Sequence, residues 1–576
     1  MRVKFVILIL LCVGIIFPHK NYAQNGRLPN SDLFPMSPQS SSKIDVLRMD
    51  KLTEAERLVA YSLQGLVNRQ CPQIYLLHRS QTGILDFYRE HKYVKRVREI
   101  TKLGELVSLY KKVPRGLVVF DPEKTYMVNL ASNLASVEDR IMVAENLLDS
   151  VLEIMGKKTN VFDLRQLNLK DDVEAIDWYM ANVFPKQNHQ AMSVANNHSM
   201  NNIFRDYLIA FKIPTFWLPG KKDIDYSKEY EERVLKLYQI MPDNIPVLGF
   251  WPARDIDGNK VGYQEFPGVK LAGEYAKFTT VSTHVGNYSF HSGVKVAGYQ
   301  YKQTKVRNKP CPKYDKSKKY VALVMTESGD APGYMLTKFR SYQWEQPNRE
   351  KVPVSYGINP LMQYLYPALT KYYYDSASEN NFFFNSISGA GYCYPFEGYG
   401  SKTSDPEKTV REYFKLTSDN MKKMDLDVLA LYTHPKKMLS GTDLQLLDTI
   451  VKYVPVMKSF VLGMHKVNGY DAGNSHGILE GNVSYHHTIT RWPSGNVHGF
   501  NKAYEPLDEK KDDFAVEYMV NEIRRNSAGG NFIQAMFYSW FYGPRRLAKV
   551  QEILEKEGYV FVTLNHFDKL YREAQK

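Results

Sequence analysis

The run YVALVM at residues 320–325 opens a regular series of apolar strand candidates that decides the fold of the C-terminal half. Similar apolar runs follow it, and predicted helices lie between most of them. The series continues at 352–358, 382–387, 427–432, 459–464, 482–487, 532–538 and 559–564. Eight strands that alternate with helices predict an α/β fold with a (β/α)8-like barrel, TIM-type or distorted. An open doubly wound sheet is the alternative, because strand periodicity alone does not separate the two.

The helices between these strands carry recognisable ends and faces. Asp405, Pro406 and Glu407 start one helix with a capping side chain, a first-turn proline and an acid at the positive helix end. Apolar residues at helical spacing predict two more helices over 442–454 and 544–557. A further predicted helix over 359–375 contains Pro367, which interrupts a regular helix.

Small α/β units precede the barrel. A helix over 53–68 and a strand over 73–77 belong to the first unit, and further apolar strands follow at 116–120, 140–144 and 160–164. We therefore predict a multidomain chain whose N-terminal units lean over the barrel mouth. The predicted α/β domains span 43–112, 113–184 and 185–310, and the barrel domain spans 311–576.

The first 23 residues have the pattern of an export signal. Arg2 and Lys4 supply a basic start, an apolar run covers 6–17, and Ala23 offers a cleavage site. A Ser- and Pro-rich linker follows over 24–42. No later apolar run is long enough to span a bilayer, so we expect no membrane span once the signal is removed. The mature chain is predicted to be exported, to the periplasm or the extracellular space.

Charge and cysteine content exclude some classes of function. The formal net charge of +13 falls to +10 when the basic residues of the signal are removed. The remaining Lys and Arg are interleaved with Asp and Glu, which favours a solvated surface and no nucleic-acid partner. Neither a disulfide framework nor a metal-binding spacing is indicated by the three cysteines of the mature chain, Cys71, Cys311 and Cys393.

Polar and aromatic residues follow the predicted ends of the barrel strands. Active sites of parallel barrels lie at the carboxyl ends of their strands, so these residues predict an active-site edge. Glu327 and Asp330 follow the first strand, and Glu397 comes after the third. The other candidates follow the fourth to seventh strands or end one of them: His434, His465, His487, Arg491 and Trp540.

The stretch SISGAGYCYPFEGYG at residues 386–400 combines glycines with aromatic rings behind the third strand. Gly389 and Gly391 allow a sharp turn or a close approach to a ligand, because they lack a Cβ. Tyr392 and Tyr394 offer flat faces and hydroxyls that suit sugar recognition. The alternative is a tight turn whose tyrosines close the rim of the barrel.

These residues also resemble a known family. Residues 389–395, GAGYCYP, match the motif of the GxGYxYP family of putative glycoside hydrolases letter for letter. SLQGLVNR at 62–69 is similar to the N-terminal region of that family, and the segment 344–360 is similar to its catalytic half. The resemblance covers nearly the whole mature chain. It implies hydrolysis of a glycosidic bond in an oligo- or polysaccharide.

Glycoside cleavage needs two carboxyl groups, one protonated and one ionised, on either side of the bond. The candidates, in falling order, are Asp330, Glu327 and Glu397. Each has a structural alternative: a loop aspartate bonded to its own backbone, a salt-bridge partner at a strand end, or a solvated loop glutamate. No cofactor is predicted.

Substrate binding is assigned to aromatic, imidazole and guanidinium groups at the same edge: Tyr392, Tyr394, His434, His465, His487, Arg491 and Trp540. Two other functions stay open. The histidines from separate strand ends, with Asp330, could hold a divalent metal as in polysaccharide deacetylases, although none has metal-type local spacing. The same aromatic residues could instead bind a glycan without cutting it.

Overall fold

The structure is a computed structural model that describes residues 34–196, 203–223, 225–251, 253–254, 260–282, 285–325, 331–432, 439–463, 476–489 and 509–576. Helices and sheets alternate throughout these ranges, so the chain is an α/β protein. Within the same ranges, no helix is both long enough and apolar enough to cross a lipid bilayer.

Two small parallel sheets form the N-terminal part. Their strand orders are β2-β1-β3 and β5-β4-β6. The helix α1 begins after a capping box in which the Thr53 hydroxyl accepts from the Glu56 N–H and the Glu56 side chain accepts from the Thr53 N–H. The elements are β1 (Lys43–Arg48), α1 (Glu54–Asn68), β2 (Ile74–Leu77), α2 (Thr82–Glu90), β3 (Arg96–Ile100), α3 (Leu103–Tyr110), β4 (Gly116–Phe120), α4 (Tyr126–Glu138), β5 (Arg140–Ala144), α5 (Leu148–Met155), β6 (Val161–Asp163) and α6 (Asp172–Asn182).

A third parallel sheet, in the order β12-β9-β7-β8, lies between this part and the C-terminal half. Its helix α7 packs along α1, where Arg69 donates to the Ile209 carbonyl at 2.7 Å and the Ala210 carbonyl at 2.8 Å. The elements are β7 (Met192–Val194), α7 (Arg205–Phe211), β8 (Thr215–Phe216), α8 (Lys228–Ile240), β9 (Ile245–Gly249), β10 (Ala253–Arg254), β11 (Lys260–Val261), α9 (Glu265–Glu274), β12 (Lys277–Thr280), α10 (Tyr288–His291) and α11 (Thr304–Asn308).

The C-terminal half contains a curled sheet of nine described strands in the order β18-β19-β17-β16-β15-β14-β13-β20, with β21 paired to β13. All pairs are parallel except β18 with β19. The elements are β13 (Lys319–Met325), α12 (Ala331–Thr337), β14 (Val354–Ile358), α13 (Met362–Leu365), α14 (Pro367–Ser376), β15 (Asn381–Asn385), α15 (Pro406–Lys423), β16 (Val428–Ala430), α16 (Gly441–Tyr453), β17 (Ser459–Leu462), β18 (His476–Ile478), β19 (Ser484–His487), α17 (Glu509–Asn526), β20 (Phe532–Phe537), α18 (Pro544–Glu555), β21 (Tyr559–Phe561) and α19 (Leu564–Ala574).

The eighth predicted strand takes a different position from that of a regular eight-stranded barrel. It is shortened to β21, which pairs with the first three residues of β13. The last three residues of β13 pair with β14, and β20 pairs along Tyr320–Met325. The strands β21 and β14 therefore share one edge of β13, β21 along its first three residues and β14 along its last three, because β20 occupies the other edge. The two ends of the sheet meet where Thr488 bridges Gln534, and the Ile489 N–H donates to the Gln534 carbonyl at 3.0 Å.

Alternate residues of the C-terminal strands belong to two apolar clusters, one on each face of the sheet. Leu323 and Phe383 share one cluster with Leu447 of α16 and Leu547 of α18, so this face is covered by the surrounding helices. The opposite, concave face includes Ala322, Val324 and Phe384. The concave cluster continues into α19, whose Phe567 contacts Phe532 at the start of β20 with ring centroids 5.5 Å apart. The end of the sheet where the strands begin is thus closed by α19.

The predicted helix over 359–375 is divided into two. α13 ends at Leu365, and α14 begins at Pro367. Proline lacks the N–H that a helix interior needs but fits the first helical position, so it starts the second helix. Asp405 caps α15 as predicted, since its side chain accepts from the Lys408 N–H.

Candidate active site

The glycine-rich segment after β15 is packed between α15 and the third sheet. A Cβ at Gly389, where φ is +114°, would lie 2.5 Å from Thr417 Oγ1 of α15. At Gly391 a Cβ would lie 2.3 Å from the ring of Phe278 in β12. Both glycines are therefore required by the close approach of the segment to protein neighbours.

Tyr392 joins this segment to the third sheet. Its carbonyl accepts from the Thr279 N–H at 2.8 Å, and its N–H donates to the Thr279 carbonyl at 3.0 Å. The Tyr392 hydroxyl lies 2.8 Å from Glu265 Oε1 of α9 and 2.7 Å from the hydroxyl of Tyr394. A chain of polar groups thus runs from a carboxylate of the third domain through both tyrosines of the motif.

The two tyrosine rings are enclosed by other aromatic rings. Tyr392 stacks on Tyr432 at 5.4 Å and 28°, and Tyr394 lies 4.8 Å from the ring of Phe266. Tyr392 is 2% exposed and Tyr394 is 5% exposed. Burial, with the neighbouring Tyr432, raises the pKa of Tyr392 well above its usual value, so its hydroxyl stays protonated. The substrate-binding role assigned to these tyrosines stays a prediction.

Cys393, between the two tyrosines, is a buried structural thiol. Its sulfur lies 3.3 Å from the Tyr413 hydroxyl, and that hydroxyl donates to the Ser388 carbonyl at 2.8 Å. Burial raises the pKa of the thiol to about 12. A thiol of this kind is a poor nucleophile, because only the thiolate attacks.

Glu397 is paired with a lysine of the third domain. Its Oε2 lies 3.3 Å from Lys270 Nζ in α9, the helix that also provides Glu265. Its side chain is 21% exposed, so the pair lies near the surface. Glu265 is not among the residues predicted from the sequence, since it precedes Tyr392 by 127 residues and follows none of the C-terminal strands.

Three polar residues near the motif are also missing from the sequence predictions. Asn385 ends β15, Ser386 directly follows it, and Thr280 ends β12 next to the bridge between Thr279 and Tyr392. In the sheet register Asn385 pairs with Ile358 and Leu429, which belong to the helix-covered face. The three polar residues are at most 1% exposed, and within the described part of the chain neither the Asn385 amide nor the Ser386 and Thr280 hydroxyls have a hydrogen-bond partner. Buried polar groups normally have partners, so unsatisfied groups near a candidate site can serve a ligand. In the sequence, these positions are indicated only by the neighbouring glycines, which mark an unusual backbone conformation.

Trp540 and His487 occupy different surroundings. Trp540 is partly buried after β20, with its ring 5.1 Å from that of Tyr334 and with Lys338 Nζ 4.7 Å from its centroid. His487 pairs in register with Leu462, a residue of the helix-covered face. The preceding His486 lies in register with Val461 on the concave face, where its Nδ1 is 3.1 Å from Nδ1 of His476.

Five predicted site residues lie outside the described residues: Glu327, Asp330, His434, His465 and Arg491. The strands that precede the first four of them, β13, β16 and β17, are parallel members of one sheet.

Family models match residues 43–112 (GxGYxYP_N 1st domain), 189–293 (GxGYxYP third domain) and 317–572 (GxGYxYP putative glycoside hydrolase C-terminal domain). The chain belongs to the GxGYxYP family. The GxGYxYP motif therefore lies in the matched C-terminal domain, and its Thr279 partner lies in the matched third domain.

One similar solved structure is a crystal structure of a putative hydrolase from Bacteroides thetaiotaomicron VPI-5482. The identity is 16%, the TM-score is 0.71, and the alignment covers 94% of this chain and 97% of the other. At this identity the likeness shows the fold. No curated protein matches the chain.

Proposed function

We propose that this GxGYxYP protein is an exported glycoside hydrolase whose active site lies where the C-terminal strands end beside the third domain. Asp330 and Glu327 are the proposed catalytic carboxyl groups. One donates a proton to the glycosidic oxygen, and the other attacks the anomeric carbon or activates water. The substrate is an oligo- or polysaccharide.

The observation that carries this proposal is a pair of buried hydroxyls, at the carboxyl ends of strands from two adjoining sheets, that have no hydrogen-bond partner among the described residues. Ser386 directly follows β15, and Thr280 ends β12, whose Thr279 is bridged to Tyr392. Neutral hydroxyl groups of this kind are suited to sugar hydroxyls, which both donate and accept hydrogen bonds. The family description supports the same class of substrate.

The motif tyrosines have a positioning role in this proposal. Tyr392 is bonded through its backbone to Thr279 and through its hydroxyl to Glu265. These bonds fix the third domain against the segment that begins at Ser386. Catalysis depends on reacting groups held in fixed geometry, so a rigid junction at the edge of the site is expected to matter.

The test uses the mature chain from residue 24 on a panel of neutral and acidic oligosaccharides, with release of reducing ends as the readout. Asp330→Asn and Glu327→Gln are each expected to lower turnover by ~10²–10⁴-fold. The control is Asp315→Asn, which changes an exposed acid before the same strand, β13, and should leave turnover unchanged. Circular dichroism spectra that match the wild type would show that each variant is folded.

The alternatives give different results in the same assay. A deacetylase would release acetate from acetylated glycans and lose activity with a chelator. A glycan-binding protein would bind members of the panel without cutting any of them. Full turnover in both Asp330→Asn and Glu327→Gln would contradict the assignment of the carboxyl pair.

A further inference from the structure

Arg205, the first residue of α7, is a buried cation without an acidic partner among the described residues. It is 0% exposed. Its two terminal nitrogens share one acceptor, Oδ1 of Asn129, at 3.2 Å each, and its Nε has no acceptor among the residues that the structure describes. The Asn129 amide is held in this orientation because its nitrogen donates to the Ala195 carbonyl at 2.8 Å. Buried arginines are usually paired with acids, since an unpaired buried charge is costly.

Two further polar groups, one beside Arg205 and one stacked on that neighbour, also lack hydrogen-bond partners within the described part of the chain. They are the hydroxyl of Tyr61, which is 0% exposed, and Nε2 of His78. The Tyr61 and His78 rings stack with centroids 6.0 Å apart, and Tyr61 and Arg205 are close enough for each to shift the pKa of the other. Tyr61, His78 and Arg205 are called the Arg205 cluster below. His78 is only partly buried and forms its outer end.

Arg205 carries the charge of the cluster. Burial raises the pKa of Tyr61, an effect that Arg57 and Arg205 oppose and that Asp206 and Glu54 increase, so charges of both signs act on Tyr61. Burial lowers the pKa of Arg205 only to about 10, so the guanidinium stays charged at neutral pH. The adjacent Asp206 forms no ion pair with Arg205: its Oδ2 accepts from the Ser289 N–H at 2.9 Å and from the Ser289 hydroxyl at 2.6 Å, and its buried Oδ1 has no hydrogen-bond partner among the described residues. An anion is therefore the partner that the Arg205 guanidinium lacks.

The cluster adjoins the proposed active site through one segment of the third domain. A Cβ at Gly286 would lie 3.2 Å from the His78 ring. From the other side, a Cβ at Gly333 of α12 would lie 3.3 Å from the Val281 carbonyl and 3.4 Å from the Val285 side chain. The helix α12 begins immediately after Asp330 in the sequence.

We infer that the Arg205 cluster binds an anionic substituent of the glycan, either the carboxylate of a uronic acid or a sulfate ester. This inference rests on the proposed glycosidase function and narrows its substrate to acidic glycans. A guanidinium fork binds two oxygens of a carboxylate or sulfate at once, and the Tyr61 hydroxyl and the His78 ring can each add a donor. The same cluster gives a neutral sugar no comparable stabilisation.

The test measures binding by calorimetry, independently of cleavage. The probes are a trigalacturonate, a sulfated galactose trisaccharide and the neutral galactose trisaccharide. The wild-type protein should bind at least one charged probe ~10-fold or more tightly than the neutral one, and Arg205→Gln should weaken that binding by roughly 10- to 100-fold. The charged probe that binds identifies the oxyanion.

Two further variants keep the test decisive. Arg205→Lys retains the charge but not the fork, so it should weaken binding of the charged probe less than Arg205→Gln does. Arg340→Gln is the matched control, because Arg340 already contacts Glu345 and Glu90, and it should bind like the wild type. Without ligand, Arg205→Gln should unfold at the same temperature as the wild type or higher, since it removes an unpaired buried charge. The charged probe should raise the unfolding temperature of the wild type and of Arg340→Gln, but not that of Arg205→Gln.

The outcomes separate this inference from the proposed function. Equal binding of charged and neutral probes by the wild type, or unchanged binding in Arg205→Gln, would overturn the inference and leave the hydrolase proposal standing. Arg205-dependent binding of a charged probe without cleavage of any glycan would overturn the hydrolase proposal instead.

Discussion

Gly391→Ala tests whether the motif glycine is required by packing against the third domain. The backbone at Gly391 is outside the left-handed region, so alanine is compatible with its conformation. The obstacle is Phe278, whose ring carbon would lie 2.3 Å from the new Cβ. Non-bonded carbons are normally separated by ~3.5–4.0 Å, so the ring would have to move by more than ~1 Å.

Phe278 has little room for that movement. It is 0% exposed, and its ring lies 5.8 Å from that of Tyr413. Overpacking of a well-packed core costs about 1–3 kcal/mol, and we expect Gly391→Ala to fall in the upper part of this range. Phe278→Leu alone should cost about 1–2 kcal/mol. The double variant should be less destabilised than the sum of the two single variants, by about 1 kcal/mol or more, because the smaller side chain admits the methyl group.

Equilibrium urea unfolding, followed by circular dichroism and by tryptophan fluorescence, measures these changes. Gly441→Ala is the matched control, because nothing lies within 4 Å of a Cβ there and the residue begins α16. Its free energy of unfolding should stay level or rise by up to ~1 kcal/mol. Wild-type stability in Gly391→Ala, or strictly additive losses in the double variant, would refute the packing explanation of the motif.

Three other predictions concern stability. Burial lowers the pKa values of His291 and His476 to about 3. Between pH ~6.5 and 3 the unfolded state therefore binds protons at these histidines that the folded state does not. The free energy of unfolding should fall by up to ~1.4 kcal/mol per pH unit for each histidine as the pH drops through this range. Asp206, with its pKa raised to about 6, opposes this trend by one proton between about pH 6 and 4, because its folded form binds that proton more tightly. His476→Gln should flatten the slope of the free energy of unfolding against pH. An unchanged slope would contradict the assignment of this pH dependence to His476. Asp512→Asn should cost about 3–5 kcal/mol in urea unfolding, because it leaves the buried guanidinium of Arg546, now 2.6 Å from Asp512, without its carboxylate.

The sequence predicted the elements of the fold better than their arrangement. All eight C-terminal strands exist, and Asp405 and Pro367 mark helix starts. Apolar periodicity reports which residues are buried in strands, and capping residues report local backbone geometry, so both can be read locally. The position of β21 depends instead on competition between β14, β20 and β21 for the edges of β13, which no local pattern encodes.

The candidate site was predictable to a smaller extent for the same reason. The motif tyrosines could be recognised because their glycine neighbours are unusual, but Glu265 reaches Tyr392 from another domain. Arg205 is even more distant from the motif in sequence, and the fact that no described acid pairs with it is visible only when the neighbours from α1 and α4 are in place. Side chains brought together across domains leave no periodic signal.

Two of the residues that define the GxGYxYP motif, Gly391 and Tyr392, are required by a domain junction. Gly391 admits Phe278, and Tyr392 pairs with Thr279 and Glu265, all of which belong to the third domain. The contact with Phe278 needs a residue without a Cβ at position 391. The contacts of Tyr392 need a side chain with both a ring and a hydroxyl. Any chain with the motif is therefore expected to carry a third domain with a matching strand and acid. A motif protein that lacks this domain but keeps a stable curled sheet would show that the glycines and tyrosines serve another purpose.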